Sequence, residues 1–135
     1  MPAIMADHNV EGHLARLIDI WTSPDWFDLW DGVGCEIQSF ERLGLATNAT
    51  DRELWNACQA NDIVLLTGNR NEEDQDSLEA VIRESVGDPN LPVITIADPD
   101  RVMNDTDYAE EVSARVLEYL IDLDKVRGAG RLYVP

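Results

Sequence analysis

Apolar positions along this chain switch repeatedly between short continuous runs and helical spacing, and the switches mark out its elements. "PAIMA" (2–6) is a short apolar run of the kind that forms a buried strand. "EGHLARLIDIW" (11–21) follows, with Leu14, Leu17, Ile18 and Trp21 at helical spacing. "CEIQSF" (35–40) alternates weakly and is expected to form a second strand. "TDRELWNACQA" (50–60) opens on Thr50 with Glu53 at the capping-box position, and Leu54, Trp55, Ala57 and Cys58 supply a buried stripe. "DIVLLT" (62–67) is the clearest strand, β-branched and apolar on both faces, as in the centre of a parallel sheet. A helix is expected over 72–87, with acids in its first turn and Gly87 as its stop. "LPVITIAD" (91–98) reads as a fourth strand, 105–124 as a long amphipathic helix, and "RLYVP" as a terminal strand.

Strand and helix therefore alternate throughout, which predicts one domain over 1–135. The expected fold is a three-layer α/β/α sandwich around a mainly parallel sheet of four or five strands. Right-handed crossovers are expected, and ligands bind beyond the carboxyl ends of the strands in such sheets. The residues that leave the sheet there are rich in oxygen: Asp7, then Asp51 with Glu53, then Asn69 and Asn71, then Asp98 and Asp100. Two readings stand side by side. Asp and Asn at such places cap helices and shape turns. The same side chains, brought together, are the hard oxygen ligands that Mg²⁺ or Mn²⁺ prefers, and a cation so held activates water against a phosphodiester.

Charge sharpens the choice. With 27 acids against 10 bases the chain carries −17, and Lys125 is its one lysine. Such a field repels nucleic acid as a whole. Salt adaptation, a basic protein partner, or carboxylates awaiting cations would each account for it. The apolar runs are too short to span a bilayer and the first ten residues have no basic n-region, so a soluble, cytoplasmic protein is expected. Cys35 and Cys58 lack a CxxC spacing and are expected to be reduced core thiols.

The frame "IMADHNVEGHLARLI" followed by "ERLGLATNATDRELWNACQANDIVLLTGNRN" resembles the PIN-like domains related to VapC-type toxins, over about residues 3 to 75. The Asp-x-Asn pair is Asp7 and Asn9, and a glycine–leucine loop, Gly44 and Leu45, leads to a helix opened by Asp51. The resemblance implies an α/β nuclease that holds Mg²⁺ or Mn²⁺ in an acidic cleft and cuts RNA. With Asp98, which follows the fourth strand, a ribonuclease of that kind would use Asp7, Asp51 and Asp98 as catalytic and metal-binding residues, with Asn69, Asn71 or Glu72 completing the metal shell. Substrate contacts fall to His8, Asn9, Thr67 and Arg70. The resemblance also implies a homodimer and pairing with a small antitoxin or another basic protein.

This chain departs from that pattern in two places. Where relatives have spaced aspartates after the third strand, it has Asn69 and Asn71, which bring no charge and cannot act as bases. A Trp-rich segment at about 21–34 looks like an insertion, and Trp26, Phe27 and Trp30 within it either cover the core or form a partner surface. His8 and His13 have no further ligands at zinc spacing. "RGAGR" (127–131) reads as a turn into the last strand and, with Lys125, as a basic cluster that would meet an acidic partner or RNA. Two function classes result: a Mg²⁺- or Mn²⁺-dependent ribonuclease, or a PIN-like protein-interaction module that has lost its cleft.

Overall fold

The structure is a computed structural model that describes residues 2–68, 78–84 and 90–135. Five parallel strands form one sheet: β1 (Ala3–Ala6), β2 (Glu36–Ile37), β3 (Ile63–Gly68), β4 (Val93–Ile96) and β5 (Arg131–Val134). Their order across the sheet is β2-β1-β3-β4-β5. Helices cover both faces, so the architecture is the expected three-layer α/β/α sandwich. Among the described residues no helix is long and apolar enough to cross a membrane.

The helices are α1 (Glu11–Trp21), α2 (Phe27–Val33), α3 (Phe40–Leu43), α4 (Asp51–Ala60), α5 (Leu78–Glu84), α6 (Pro99–Asn104), α7 (Thr106–Ile121) and α8 (Leu123–Val126). A 3₁₀ turn, His8–Val10, links β1 to α1. The capping box at α4 forms as its sequence requires: Thr50 Oγ1 accepts from Glu53 N at 3.1 Å, and Thr50 N donates back to Glu53 Oε1 at 3.2 Å. Gly128 and Gly130, at φ 82° and 80°, form the turn that leads into β5.

Three expectations change. The second strand is only two residues long, because Phe40 leaves the sheet to open α3 and bury its ring. The long helix ends at Ile121, and α8 follows as a separate short turn. Of the helix expected over 72–87, the described part is Leu78–Glu84, while its acidic start and Gly87 lie outside the described residues.

Strand periodicity sorts the core into two layers. Even-numbered strand residues (Ile4, Ala6, Val64, Leu66, Ile94, Ile96, Val134) pack with α1 and α7. Odd-numbered ones (Ala3, Met5, Ile63, Leu65, Val93) pack with Phe40, α4 and α5. The steps β3–α5–β4 and β4–α7–β5 move the same way across the sheet, yet their helices lie on opposite faces. The last crossover is therefore opposite in hand to the one before it, against the uniform right-handed winding the alternation predicts. The reason lies in the core. Val112, Val116, Leu117 and Leu120 of α7 bury the even face that α1 alone leaves uncovered.

Candidate functional site

Strand order reverses between β1 and β3, since the chain passes outward to β2 and then returns over β1 to build the rest of the sheet. In doubly wound sheets of this order the ligand crevice opens at the carboxyl ends of those two strands. Here Asp7 follows β1, and its backbone N–H donates to Leu66 O at 3.0 Å, continuing the ladder one step past the strand. Ala6 registers with Leu66, so Asp7 stands beside Thr67. Thr67 registers with Thr95 on β4, and Thr95 with Tyr133 on β5. Asp7, Thr67, Thr95 and Tyr133 thus form one row across four strands, about 4.8 Å apart from strand to strand.

The buried polar residues among those described are Asp7, Thr67, Thr95 and Ser113, and three of the four lie in this row. A buried carboxylate is costly unless it is hydrogen-bonded, paired or bound to a cation. Asp7 is 6% exposed, and its Oδ1 accepts from Asn9 N at 2.9 Å, capping the 3₁₀ turn. Thr67 Oγ1 lies 3.2 Å from Thr95 Oγ1. Arg131, from β5, donates through Nη1 to Thr95 Oγ1 at 3.2 Å and pairs through Nη2 with Glu79 Oε2 of α5 at 3.1 Å.

Around this row the expected site residues separate. His8 is exposed, its ring stacked on Phe40 with centroids 4.1 Å apart and its Nδ1 against Glu11 Oε1. Asn9 is exposed, and its backbone rather than its side chain meets Asp7. Asp51 begins α4, and its Oδ2 accepts from Leu78 N at 2.9 Å, tethering α4 to the backbone of α5. Asp98 follows β4 with an exposed side chain, near Arg101 and Tyr108. Its backbone N–H donates to Tyr108 Oη at 3.0 Å, and that hydroxyl donates to Pro135 O at 2.7 Å. Burial holds the Tyr108 phenol above its ordinary pKa, so it keeps the proton that makes the second bond. Asn69, Arg70, Asn71 and Glu72 lie outside the described residues.

The donors bear on a Mg²⁺ or Mn²⁺ ion in a definite way. Among the described residues no group of three or more His, Cys, Asp and Glu side chains is placed to hold a metal. Asp7 and Thr67 offer hard oxygens, and Mg²⁺ commonly takes one or two protein carboxylates and fills its shell with water and substrate oxygens. The described residues fit that sparse kind of site around Asp7 and do not fit an all-protein cage.

The Trp-rich segment divides in the same manner. Trp21 is fully buried, its indole N–H donates to Ser113 O at 3.1 Å, and Trp30 stacks on it with centroids 4.7 Å apart. Trp26 and Trp30 pack against the core, whereas Phe27 is 46% and Leu29 50% exposed. The basic cluster near the C-terminal turn is neutralised. Lys125 pairs with Asp122 at 3.7 Å, Arg127 with Asp124 at 3.0 Å, and Arg131 turns inward to Glu79 and Thr95.

Thr95 and Glu79 carry no expectation in the sequence, and Arg131, expected in a basic cluster on the surface, instead turns inward to them. Their signal was a threonine at the same phase of two apolar strands, and it acquires meaning only once β3 and β4 are known to be neighbours. Set against models of known protein families, curated proteins and solved structures, the chain matches none.

Proposed function

We propose that the protein is a metal-dependent ribonuclease of the PIN-like kind, hydrolysing RNA phosphodiester bonds at the carboxyl edge of β1 and β3. The observation that carries the reading is the concentration of buried polar groups at the topological switch point, with Asp7 as the buried carboxylate among them. A Mg²⁺ or Mn²⁺ ion resting on Asp7 would polarise a phosphoryl oxygen and acidify a bound water. The chain's own part is to hold Asp7 in place through Asn9 N–H, to offer the Thr67 hydroxyl beside it, and to set His8 at the rim on the Phe40 ring. A cytoplasmic location belongs to this same proposal. So does a basic protein partner, because two copies at −17 each repel one another, whereas a basic surface complements this one. Phe27, exposed beside Trp26 and Trp30, would receive its apolar anchor.

A second reading, a PIN-like interaction module without catalysis, is favoured by one specific arrangement. Asp51 bonds the backbone of α5, Asp98 lies near Arg101 and Tyr108, and among the described residues no three His, Cys, Asp or Glu side chains gather to hold a metal. Thermal melting with and without millimolar Mn²⁺ separates the two. Under the nuclease reading Mn²⁺ raises the melting temperature, Asp7→Asn abolishes the rise without unfolding the chain, and single-stranded RNA is cut until EDTA is added. No metal response and no cleavage would leave the module.

A further inference from the structure

A cavity of about 490 Å³ opens at the end of the sheet remote from Asp7. Pro2, Asp62 and Leu91 line it just ahead of β1, β3 and β4, which places it at the amino ends of the parallel strands. The extended chain from Asp62 to Thr67 spans about 17 Å, so the cavity is no part of the cleft described above. The end of α7 and the start of α8 close its other side. Its wall is apolar, with Leu91 and Leu120 buried and Ile121 presenting a side chain that is 55% exposed. That wall is also fixed in advance. The Gln59 side chain donates to Leu91 O and accepts from Leu91 N, both at 2.9 Å, so the Leu91 backbone is held and its polar groups are satisfied away from the cavity.

The charges around the cavity do not cancel. Both cations there are already paired, Lys125 with Asp122 at 3.7 Å and Arg127 with Asp124 at 3.0 Å. The third carboxylate, Asp62, has no partner among the described residues. It is held at the lip by a left-handed backbone, φ 54°, in the turn that leads into β3. One unpaired carboxylate beside an apolar wall is complementary to a monovalent organic cation. We propose that this cavity binds a small aliphatic amine, its ammonium group at Asp62 and its hydrocarbon along Leu91, Leu120 and Ile121. The ammonium gains charge-assisted hydrogen bonds, and the hydrocarbon leaves water. The volume lies within the range of small-molecule sites, about 300–1,000 Å³. An anion would have to break the Lys125 or Arg127 pair and then lie near Asp62. The overall charge of −17 attracts any cation, and the apolar wall is what makes this place selective for an amine with a hydrocarbon body.

The test is NMR of the full chain titrated with n-hexylamine in about 0.15 M salt, where the general field is screened beyond about 8 Å. Saturable shifts are expected at Asp62, Leu91, Leu120 and Ile121, with none around Asp7. Asp62→Asn keeps a residue that adopts the left-handed backbone readily and should weaken binding about tenfold or more. Ile121→Ser, at an exposed position, should cost about threefold, and shortening the amine to ethylamine about tenfold. n-Hexanol, which has no charge, and hexanoate, which has the opposite one, should each bind at least about tenfold more weakly than the amine. Shifts that never saturate, hexanol or hexanoate binding as well as the amine, or an affinity unchanged in both variants would overturn the proposal. Binding of a lysine-rich peptide at these residues, with none of n-hexylamine, would overturn it in favour of a protein contact.

Discussion

The carboxylate of Asp51 accepts a hydrogen bond from the backbone nitrogen of Leu78 at 2.9 Å, so the first residue of α4 is tied to the backbone of α5. Leu54 and Cys58 of α4 pack with Leu78 and Ile82 of α5 into one layer. Asp51→Ala removes the acceptor of a part-buried N–H and should cost about 1–3 kcal/mol. Asp51→Asn keeps a carbonyl oxygen there and should recover most of the loss. Urea unfolding of the three proteins checks this. Equal stability for all three would mean that the bond contributes nothing.

Gly68 ends β3 with no room for a side chain. A Cβ at this position would stand 2.9 Å from Pro99 Cγ and 2.9 Å from Val10 Cγ1, so α6 and the 3₁₀ turn after Asp7 close on it from both sides. Gly68→Ala should destabilise the fold by about 1–3 kcal/mol through overpacking. Gly32→Ala, where a Cβ meets nothing within 4 Å, is the matched control and should be close to neutral. Denaturation midpoints compare the two.

The Trp21–Trp30 stack is structural, and the residues next to it are not. Trp30→Leu gives up a parallel ring contact at 4.7 Å on a fully buried partner and should lose about 0.5–1.5 kcal/mol beyond the change in buried area. Phe27→Ser, at a site 46% exposed, should stay within about 0.5 kcal/mol of the parent. A large loss at Phe27 would show that α2 needs that ring for its own packing.

Both thiols are held protonated by burial, and for Cys35 the Glu36 carboxylate adds to the effect, so each pKa is pushed from 9.0 up to about 12. The folded state therefore binds more protons than the unfolded chain between those values. Stability from this source is complete below pH 9 and drains away as pH rises toward 12. Cys58→Ala should flatten that alkaline decline, as followed by melting temperature from pH 8 to 11. At pH 8 a disulfide reagent should leave both thiols unmodified until denaturant is added.

The local signals in the sequence were faithful where one turn or one face decides the outcome. The helix at 11–21 and the capping box at Thr50 and Glu53 depend on residues three or four apart, and both form where expected. The short helices α3 and α6, four and six residues long, have no periodic signal of their own because their surroundings set them. Ser39 Oγ caps α3 at Arg42 N, and Pro99 stands in the first turn of α6 against Gly68. Asp7 was legible as the residue where an apolar run stops. Arg131 was not, because its partners Thr95 and Glu79 lie 36 and 52 positions away in the chain.

Hydrophobic periodicity records which face of each segment seeks burial, and with the alternation of strand and helix it gave a mainly parallel sheet of four or five strands and the edge at which the oxygen-bearing residues emerge. It does not record which segment lies opposite. Only the tertiary structure decided the order β2-β1-β3-β4-β5, the seating of α7 on the even face with a crossover of reversed hand, and the placing of Asp98 beside Arg101 and Tyr108. Burial is satisfied by any apolar neighbour of the right shape, whereas register and hand are properties of the whole packed core.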